Sequence, residues 1–232
     1  MKNNNQLQST LDSLVIIVPA AGVGSRMQAS VSKQYLEIAG KTILQHTLDK
    51  LDALGPKKII LVVSKEDEMW KSLSLSHRCE VVEGGVLRSD SVLAGLNAAQ
   101  SEDQDWVMVH DCVRPCVKTS EILNMYEQLK DHPVGGLLGV PVVDTLKKVN
   151  EINEVEQTQE RAIHWLAQTP QMFRLGLLKK ALEESESCSD EASAIEQLGY
   201  KPQMVASSKH NIKITTADDL ALAEFLLQRE NL

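Results

Sequence analysis

One stretch near the start of the chain joins a strand-like apolar run to a loop of small residues and then to two cations. The run, residues 14–18, is apolar at every position, as expected for a strand in a parallel sheet that is covered on both faces. Pro19 ends it, and the small residues that follow let an anionic ligand lie against backbone N–H groups. Arg26 and Lys33 add full positive charges. The pattern predicts a loop that binds phosphate groups.

The common phosphate-binding motifs do not fit this loop. A dinucleotide-binding fingerprint requires a third glycine where the chain has Met27. A Walker A loop would end at Gly40-Lys41-Thr42, but the glycine that it requires five residues earlier is Tyr35. We interpret the tripeptide as a turn into a helix, with Thr42 as the N-cap and Gln45 completing a capping box.

The charge and hydropathy of the chain restrict its partners. The formal charge is −8 at pH 7, whereas nucleic acids and anionic membranes bind basic surfaces, so we expect neither partner. No apolar run approaches the roughly 18 residues that span a bilayer, and residues 1–13 are polar without the apolar core of a signal peptide. We predict a cytoplasmic protein with a disordered tail at residues 1–13 and a single domain at residues 14–232.

The chain contains four cysteines, Cys79, Cys112, Cys116 and Cys188. They are too few and too scattered for a disulfide framework, so we expect reduced thiols. A zinc site around His110, Asp111, Cys112 and Cys116 is the alternative, but the cysteines are spaced C-x₃-C and no second Cys/His pair follows at zinc-binding spacing. We therefore predict no metal ligand from the protein.

Strand-length apolar runs alternate with helical patterns along much of the chain. The predicted strands cover residues 14–18, 58–63, 80–82, 106–110 and 136–140, and the predicted helices residues 42–54, 89–99, 120–130 and 216–228. This alternation is typical of an α/β, Rossmann-like, doubly wound fold with a mostly parallel sheet. Since ligands bind at the carboxyl ends of such strands, we expect Gly84, Gly85 and Asp111 to share a pocket with the first loop.

Residues 144–159 break the alternation, with apolar residues set among charged and amide side chains. This pattern fits a long hairpin. A solvated loop is an equally good interpretation of the pattern alone.

The loop pattern P-A-A-G-x-G-x-R-M, followed by K-Q-Y, resembles the nucleotide-binding loop of nucleotidyltransferases that act on sugar or polyol phosphates. Further motifs follow in order: Gly84-Gly85 with Arg88 and Asp90-Ser91-Val92, His110-Asp111 with Arg114-Pro115, Pro141 with Asp144-Thr145, Thr169-Pro170-Gln171, Asp190-Glu191-Ala192-Ser193, and Asn211-Ile212-Lys213. Together they resemble the 2-C-methyl-D-erythritol 4-phosphate cytidylyltransferase family of the non-mevalonate isoprenoid pathway. The resemblance covers nearly the whole chain from Leu14 onward.

The resemblance implies a role for particular residues. Arg26 and Lys33 would stabilise the transition state at the α-phosphate of CTP, and Arg161 and Lys213 would position the attacking phosphate. The implied nucleotide contacts are Pro19, Ala20, Ala21, Gly22, Gly24, Gly85 and Ser91, with the last two reading the cytosine edge. The implied contacts to the polyol phosphate are Asp111, Arg114, Thr145 and Thr169. We expect Lys213 to lie in a short strand whose neighbours, Ile212 and Ile214, pack on the opposite face.

The resemblance also implies a reaction, a cofactor and a partner. CMP would pass from CTP to 2-C-methyl-D-erythritol 4-phosphate, with Mg²⁺ held mainly by the triphosphate. A second copy of the chain would form a homodimer through the β-arm, at about residues 145–165.

Two other functions remain open at this point. Another polyol phosphate, such as ribitol 5-phosphate, would present similar hydroxyls and a phosphate to the same groups. A nucleotide-binding module without catalysis would be expected to lack at least one of the four implied catalytic cations, all of which are present. We interpret Arg88 and Asp90 as an ion pair at the start of a helix rather than as substrate contacts.

Overall fold

The computed structural model describes residues 11–22 and 32–230 of the chain. Its strands are β1 (Val15–Pro19), β2 (Glu37–Ile38), β3 (Lys41–Thr42), β4 (Lys58–Val63), β5 (Cys79–Glu83), β6 (Trp106–Val109), β7 (Gly135–Pro141), β8 (Leu146–Val149), β9 (Val155–Gln159), β10 (Trp165–Arg174) and β11 (Gln203–Ala206). Its α-helices are α1 (Ile43–Asp52), α2 (Arg88–Ala98), α3 (Thr119–Leu129), α4 (Leu175–Glu184), α5 (Glu191–Gln197) and α6 (Ala217–Glu230).

Seven of the described strands form one sheet in the order β11-β7-β10-β6-β1-β4-β5. Strands β6, β1, β4 and β5 are parallel neighbours, and β11 pairs in parallel with β7. Only β10, among these seven, runs antiparallel to its neighbours, β6 and β7. The predicted α/β fold with a mostly parallel sheet is thus confirmed.

Both faces of the sheet are covered, because alternate residues of each central strand enter different cores. In β1, Ile16 and Val18 belong to one buried cluster, together with apolar residues of α1, α3 and α6. Val15 and Ile17 belong to the other, together with residues of α2, α4 and α5. This arrangement explains why the first strand is apolar at every position. Leu11, which the sequence analysis assigned to the tail, also packs into the first core and is 3% exposed.

The parallel strands end at one edge of the sheet, and backbone hydrogen bonds tie the following loops together there. After β1, the N–H of Ala20 donates to the carbonyl of Val62 at 2.7 Å. After β5, the N–H of Gly84 donates to Val63 at 2.8 Å, and after β6 the N–H of His110 donates to Ile17 at 2.9 Å. The loops predicted to bind ligand therefore lie side by side.

The Gly40-Lys41-Thr42 tripeptide forms a turn before a helix, as predicted. Ala39 and Gly40 have positive φ angles of 47° and 81° and connect β2 to β3. Thr42 caps α1, since its side chain accepts a hydrogen bond from the N–H of Gln45 at 3.1 Å. The predicted capping box is wrong in its second half, because the Gln45 side chain instead bonds Asp49 and the backbone of residue 74.

The predicted hairpin is confirmed, since β8 and β9 pair in antiparallel register and most of their residues are exposed. We call residues 145–165 the β-arm. The predicted strand at Lys213 is wrong, because residues 211–216 have no regular secondary structure and are held by a bond from the N–H of Ile214 to Val113 at 3.0 Å. Ile214 is nevertheless buried and Lys213 is exposed, as expected.

No helix within residues 11–22 and 32–230 is both long and apolar enough to cross a membrane.

Candidate active site

A cleft opens at the carboxyl edge of the sheet, between the ends of β1, β5 and β6, and we call it the edge cleft. It brings together nine of the predicted site residues: Pro19, Ala20, Ala21, Gly22, Lys33, Gly85, Ser91, Asp111 and Lys213. The predicted residues Gly24 and Arg26 lie outside the described residues.

A second cleft lies beside the first, and we call it the adjoining cleft. Arg114 and Thr169 line it, as do Gln168 and Asp190. The two clefts share three charged residues, Arg88, Asp111 and Lys213. Two of the four residues predicted to contact a polyol phosphate are therefore placed together in this second cleft, and Asp111 lies at the boundary between the clefts.

Lys33 lies at the start of a single 3-10 turn, Lys33–Tyr35, whose other residues are buried. The side-chain amide of Gln34 donates to the carbonyl of Ala20 at 3.0 Å, and the hydroxyl of Tyr35 donates to Asp67 at 2.7 Å. These bonds fix the turn against the first loop, so the Lys33 side chain enters the edge cleft from a rigid base.

Gly84 allows the loop after β5 to approach the first loop, and Gly85 allows the same loop to turn closely into α2. A Cβ atom on Gly84 would lie 2.7 Å from the Ser91 hydroxyl and 3.0 Å from the Cβ of Ala21, and one on Gly85 would lie 2.3 Å from the Cβ of Asp90. A side chain at Gly84 would therefore require the two loops to separate, and one at Gly85 would displace Asp90. Ser91 is buried, and its hydroxyl lies 3.2 Å from the Leu87 carbonyl.

Asp111 is the centre of the charged network. One carboxylate oxygen, Oδ2, lies 2.9 Å from Nζ of Lys213 and 3.5 Å from Nε of Arg114, and the other, Oδ1, accepts a hydrogen bond from Arg88 at 3.1 Å. Burial alone would raise the pKa of Asp111, but the charges of Arg88, Lys213 and Arg114 outweigh burial and hold that pKa well below its usual range. Asp111 is therefore a permanent anion that gathers three cations.

The predicted ion pair between Arg88 and Asp90 is wrong. The Asp90 carboxylate accepts a bond from the N–H of Leu87 at 3.0 Å and so caps α2. Arg88 instead donates to both carboxylate oxygens of Glu191, at 2.6 and 3.2 Å, as well as to Asp111. Sequence analysis thus missed Arg88 and Glu191 as members of the site, although both lay within quoted motifs.

Thr169 contributes through a chain of hydrogen bonds. The backbone N–H of Asp111 donates to the Thr169 hydroxyl at 3.0 Å. The same hydroxyl lies 3.2 Å from Nδ1 of His110, and Nε2 of His110 lies 3.2 Å from the backbone carbonyl of Arg114. Since a carbonyl can only accept, Nε2 carries the proton and Nδ1 accepts from the Thr169 hydroxyl. This series of hydrogen bonds requires a neutral imidazole. Burial, as the largest cause, lowers the pKa of His110 to about 4, so the imidazole is neutral at neutral pH.

Asn211 joins the remaining parts of the adjoining cleft. Its buried side-chain amide donates to the Thr169 carbonyl at 2.8 Å and to the Gln168 side chain at 3.2 Å. The backbone carbonyl of Asn211 accepts a hydrogen bond from the Arg114 guanidinium at 2.7 Å. One buried residue therefore holds Arg114 and Thr169 in place, two positions before Lys213.

Two predicted residues line neither cleft. Thr145 is exposed at the base of the β-arm. Arg161 is also exposed and donates to the Val143 carbonyl at 2.6 Å. The structure thus leaves these two residues outside the group formed by Lys33, Asp111 and Lys213.

Comparison with known proteins identifies the family. The model of the 2-C-methyl-D-erythritol 4-phosphate cytidylyltransferase family matches residues 14–229. A protein of that name from Haemophilus influenzae is 45% identical over 225 residues, which cover 95% of this chain and 99% of that protein. The one from Vibrio parahaemolyticus is 45% identical over 97% of this chain and 99% of that protein.

The chain belongs to the 2-C-methyl-D-erythritol 4-phosphate cytidylyltransferase family.

Solved structures agree with this assignment. The crystal structure of the Francisella tularensis 2-C-methyl-D-erythritol 4-phosphate cytidylyltransferase is 40% identical, with a TM-score of 0.79 over 92% of this chain and 99% of that one. The resemblance stated from the motifs is therefore confirmed, as is the assignment of the chain as a cytidylyltransferase, a nucleotidyltransferase of isoprenoid biosynthesis.

All four cysteines of this cytidylyltransferase lie in the described part of the chain, and none forms a disulfide. Burial, as the largest cause, raises the pKa of the Cys112 thiol to about 12, so the thiol beside the edge cleft is neutral. Within residues 11–22 and 32–230, no three His, Cys, Asp or Glu side chains form a group that could hold a metal ion.

Acid should destabilise the cytidylyltransferase through His110. The folded pKa of about 4 lies below the ordinary value of 6.5, so the unfolded chain takes up a proton first as the pH falls. We expect the unfolding free energy to fall by about 3 kcal/mol between pH 6.5 and 4 from this residue, at about 1.4 kcal/mol per pKa unit. Urea titrations at several pH values should show a shallower dependence in His110→Gln.

The matched control is His77→Gln, at an exposed position, which should keep the wild-type pH dependence. Equal pH dependence in the wild type and in His110→Gln would contradict the buried, neutral histidine.

Proposed function

We propose that this cytidylyltransferase transfers CMP from CTP to 2-C-methyl-D-erythritol 4-phosphate, forming 4-diphosphocytidyl-2-C-methyl-D-erythritol and pyrophosphate. The relatives' names support the substrate. The observation that carries the proposal is the junction of the two clefts, where Asp111 and Lys213 are shared. A nucleotide in the edge cleft and an acceptor in the adjoining cleft would meet at these residues.

The reaction requires cations rather than a general base. An oxygen of the acceptor phosphate forms a bond to the α-phosphorus of CTP, and the bond from that phosphorus to the oxygen bridging to the β-phosphate breaks, releasing pyrophosphate. A phosphomonoester has a second pKa of about 6, so the nucleophile is already deprotonated at neutral pH. The protein must instead overcome the repulsion between two anions and hold them in line.

The positions of the described cations support this proposal. Lys33 enters the edge cleft beside the first loop, where the α-phosphate would lie. Lys213 and Arg114 border the adjoining cleft, where they would bind the acceptor phosphate. Asp111 and Thr169 offer polar groups to the acceptor hydroxyls. Arg26, at the other end of the first loop in the sequence, is proposed to act with Lys33 at the transition state.

The first loop and the loop after β5, which carries Gly84 and Gly85, would bind the nucleotide. Pro19, Ala20, Ala21 and Gly22 line the edge cleft with little side-chain bulk, and Gly24 continues that loop in the sequence. Gly85 and Ser91 also line this cleft. Their backbone groups and the Ser91 hydroxyl are proposed to read the cytosine edge, and the narrow loop approach at Gly84 favours a pyrimidine over a larger purine.

Mg²⁺ is the proposed cofactor, and the nucleotide would supply most of its ligands. The residues of the edge cleft fit this arrangement, because Asp111 is the only carboxylate among its described lining residues and is already paired with three cations. When bound, Mg²⁺ would neutralise charge on the triphosphate. This ion dehydrates reluctantly and is commonly held through phosphates.

Pyrophosphate release tests this function directly. The purified protein is incubated with Mg²⁺ and CTP, together with 2-C-methyl-D-erythritol 4-phosphate, ribitol 5-phosphate or no acceptor. We expect release only with the methylerythritol acceptor. Preference for ribitol 5-phosphate would keep the chemistry and change the substrate, whereas no release with any acceptor would contradict catalysis.

Removal of a single phosphate-binding cation should slow the reaction without unfolding the protein. We expect Lys33→Ala, and likewise Arg26→Ala, to lower kcat by about 10² to 10³, equivalent to roughly 3 to 4 kcal/mol of transition-state stabilisation. The control is Lys41→Ala, which removes an exposed lysine paired with Asp49 on the surface. Near-normal turnover in Lys33→Ala would remove that lysine from the mechanism.

We also propose that two copies of the chain form a homodimer through the β-arm. The arm and its base expose several large apolar side chains, and exposed apolar patches commonly mark an interface. They are Val143, Val149, Ile152, Val155, Ile163, Trp165 and Leu166. A second copy would cover these residues, and Arg161 and Thr145 of one subunit would then act in the partner's site.

Mixing two inactive variants tests whether Arg161 acts across the interface. In a mixed dimer of Arg161→Ala and Lys213→Ala subunits, one of the two sites has both wild-type residues if Arg161 acts in the neighbouring site. Random reassortment should therefore restore about one quarter of the wild-type activity. Sedimentation must show dimers in the same samples. A monomer, or dimers without restored activity, would contradict the proposed role of the arm.

A cytoplasmic location remains a prediction. It is supported by the four cysteines, none of which forms a disulfide.

A further inference from the structure

Arg88 occupies a position that helix stability does not explain. It is the first residue of α2, where the N–H groups of the first turn carry partial positive charge. A cation at a helix N-terminus is opposed by the helix dipole, and anions are favoured there. Its side chain points to the boundary between the edge cleft and the adjoining cleft. The placement therefore calls for a role outside the helix.

Glu191 fixes the guanidinium from behind. The two side chains meet through two hydrogen bonds, Nη1 to Oε1 at 2.6 Å and Nη2 to Oε2 at 3.2 Å, a fork-to-fork geometry that fixes orientation as well as distance. The Glu191 side chain is only 1% exposed, and Glu191 is not among the residues lining either cleft. The hydrogen bonds that connect Glu191 to the site therefore run through Arg88.

Lys213 holds the same Asp111 carboxylate in a different way. Its ammonium group contacts Oδ2 at 2.9 Å, whereas Arg88 bonds Oδ1 at 3.1 Å. Lys213 is 43% exposed and lies on a segment without regular structure, whereas Arg88 is held on its far side by a buried carboxylate. Of these two counter-ions, Arg88 is rigid and Lys213 has room to move, while the third, Arg114, lies 3.5 Å from Oδ2.

We propose that Arg88, clamped by Glu191, is a positioning residue that keeps Asp111 oriented toward the acceptor while Lys213 exchanges Asp111 for the acceptor phosphate. This inference rests on the proposed function. The exchange replaces one ion pair of Lys213 by another, and it leaves Oδ2 of Asp111 to accept a hydrogen bond from an acceptor hydroxyl. Oδ1 stays bound to Arg88 throughout, so the carboxylate does not turn when Lys213 leaves.

Glu191→Gln is the decisive variant, because it keeps the shape of the side chain and removes the charge that clamps Arg88. We expect KM for 2-C-methyl-D-erythritol 4-phosphate to rise about tenfold, the size expected for weakening one charge-assisted hydrogen bond. KM for CTP should rise less than KM for the acceptor, because Glu191 lines neither cleft and the Asp111 carboxylate that Arg88 holds is the one whose orientation the acceptor depends on. Arg88→Lys, which keeps the charge and loses the fork, should show the same split.

Arg78→Lys is the matched control. Arg78 pairs with Asp52 at 3.3 Å and is 35% exposed, against 32% for Arg88, but it lies away from both clefts. Both KM values should be unchanged in this variant. A general loss of folded protein lowers the apparent kcat in proportion and leaves both KM values alone, so it cannot imitate the expected split.

Calorimetry separates failure of the clamp from failure of the proposed function. 2-C-methyl-D-erythritol 4-phosphate is titrated into wild type and Glu191→Gln in the presence of Mg²⁺ and a non-hydrolysable CTP analogue. Weaker binding of the acceptor by Glu191→Gln than by the wild type supports the proposed role of Arg88 and Glu191. Absence of turnover in the wild type would contradict the proposed function alone. Equal binding, or parallel rises in both KM values, would overturn the clamp, and no binding by the wild type would overturn both.

A spectroscopic signature tests the geometry without catalysis. Restricted rotation about the guanidinium of Arg88 should give resolved Nη resonances in NMR spectra of the wild type, with and without acceptor. These resonances should merge in Glu191→Gln, while the rest of the spectrum is preserved. A freely rotating Arg88 guanidinium in the wild type would overturn the proposal.

Discussion

A sheet that is buried on both faces can present polar groups to a ligand only where its strands end. In this chain, Val15 and Ile17 face one core and Ile16 and Val18 face the other, so only the last residue of β1, Pro19, reaches the cleft. The loops after β1, β5 and β6 are joined by backbone hydrogen bonds at a single edge. The position of the site is thus a consequence of the burial pattern, and the residues of the loops determine its chemistry.

The carboxylates of Asp111 and Glu191 reduce the repulsion among the cations of the site. Two phosphate-bearing substrates need several cations close together, and cations held close together repel one another. Asp111 and Glu191 reduce this repulsion by standing among Arg88, Arg114 and Lys213 before any substrate arrives. A buried carboxylate without such partners would be protonated rather than charged. The anions of the site therefore organise its cations, which is a different task from proton transfer.

The elements that the sequence predicted are those with a strong local signal. Strand β4 at residues 58–63 was predicted with its observed bounds, and α2 and α3 within one residue at each end, because their apolar spacing is regular. Strand β10 was missed, since Gln168, Thr169, Pro170 and Gln171 interrupt its apolar residues. Its burial between β6 and β7 depends on tertiary pairing that no local pattern records.

In the candidate site too, residues with a local sequence signal were predicted and contacts between distant residues were not. The small-residue loop and Asp111 follow strand ends in the sequence, Lys33 belongs to the same loop motif, and the structure places all of them in one cleft. The partner of Arg88 was predicted wrongly because Asp90 is two residues away, whereas Glu191 is separated from Arg88 by 103 positions. Gly24 and Arg26 lie outside the described residues, so their roles rest on the sequence pattern and the resemblance.

Strand β10 also connects the β-arm to the site. It begins at Trp165, directly after the turn that carries Arg161, and its first three residues pair with the exposed end of β7. The register then shifts between Ala167 and Gln171, and Thr169 lies within that shift, where its hydroxyl reaches Asp111 and His110. A second copy that covers the arm would bury Trp165 and Leu166 at the exposed start of this strand, and so add contacts to the strand that carries Thr169. Dimerisation and preorganisation of the acceptor site would then be one event, because a single strand carries both.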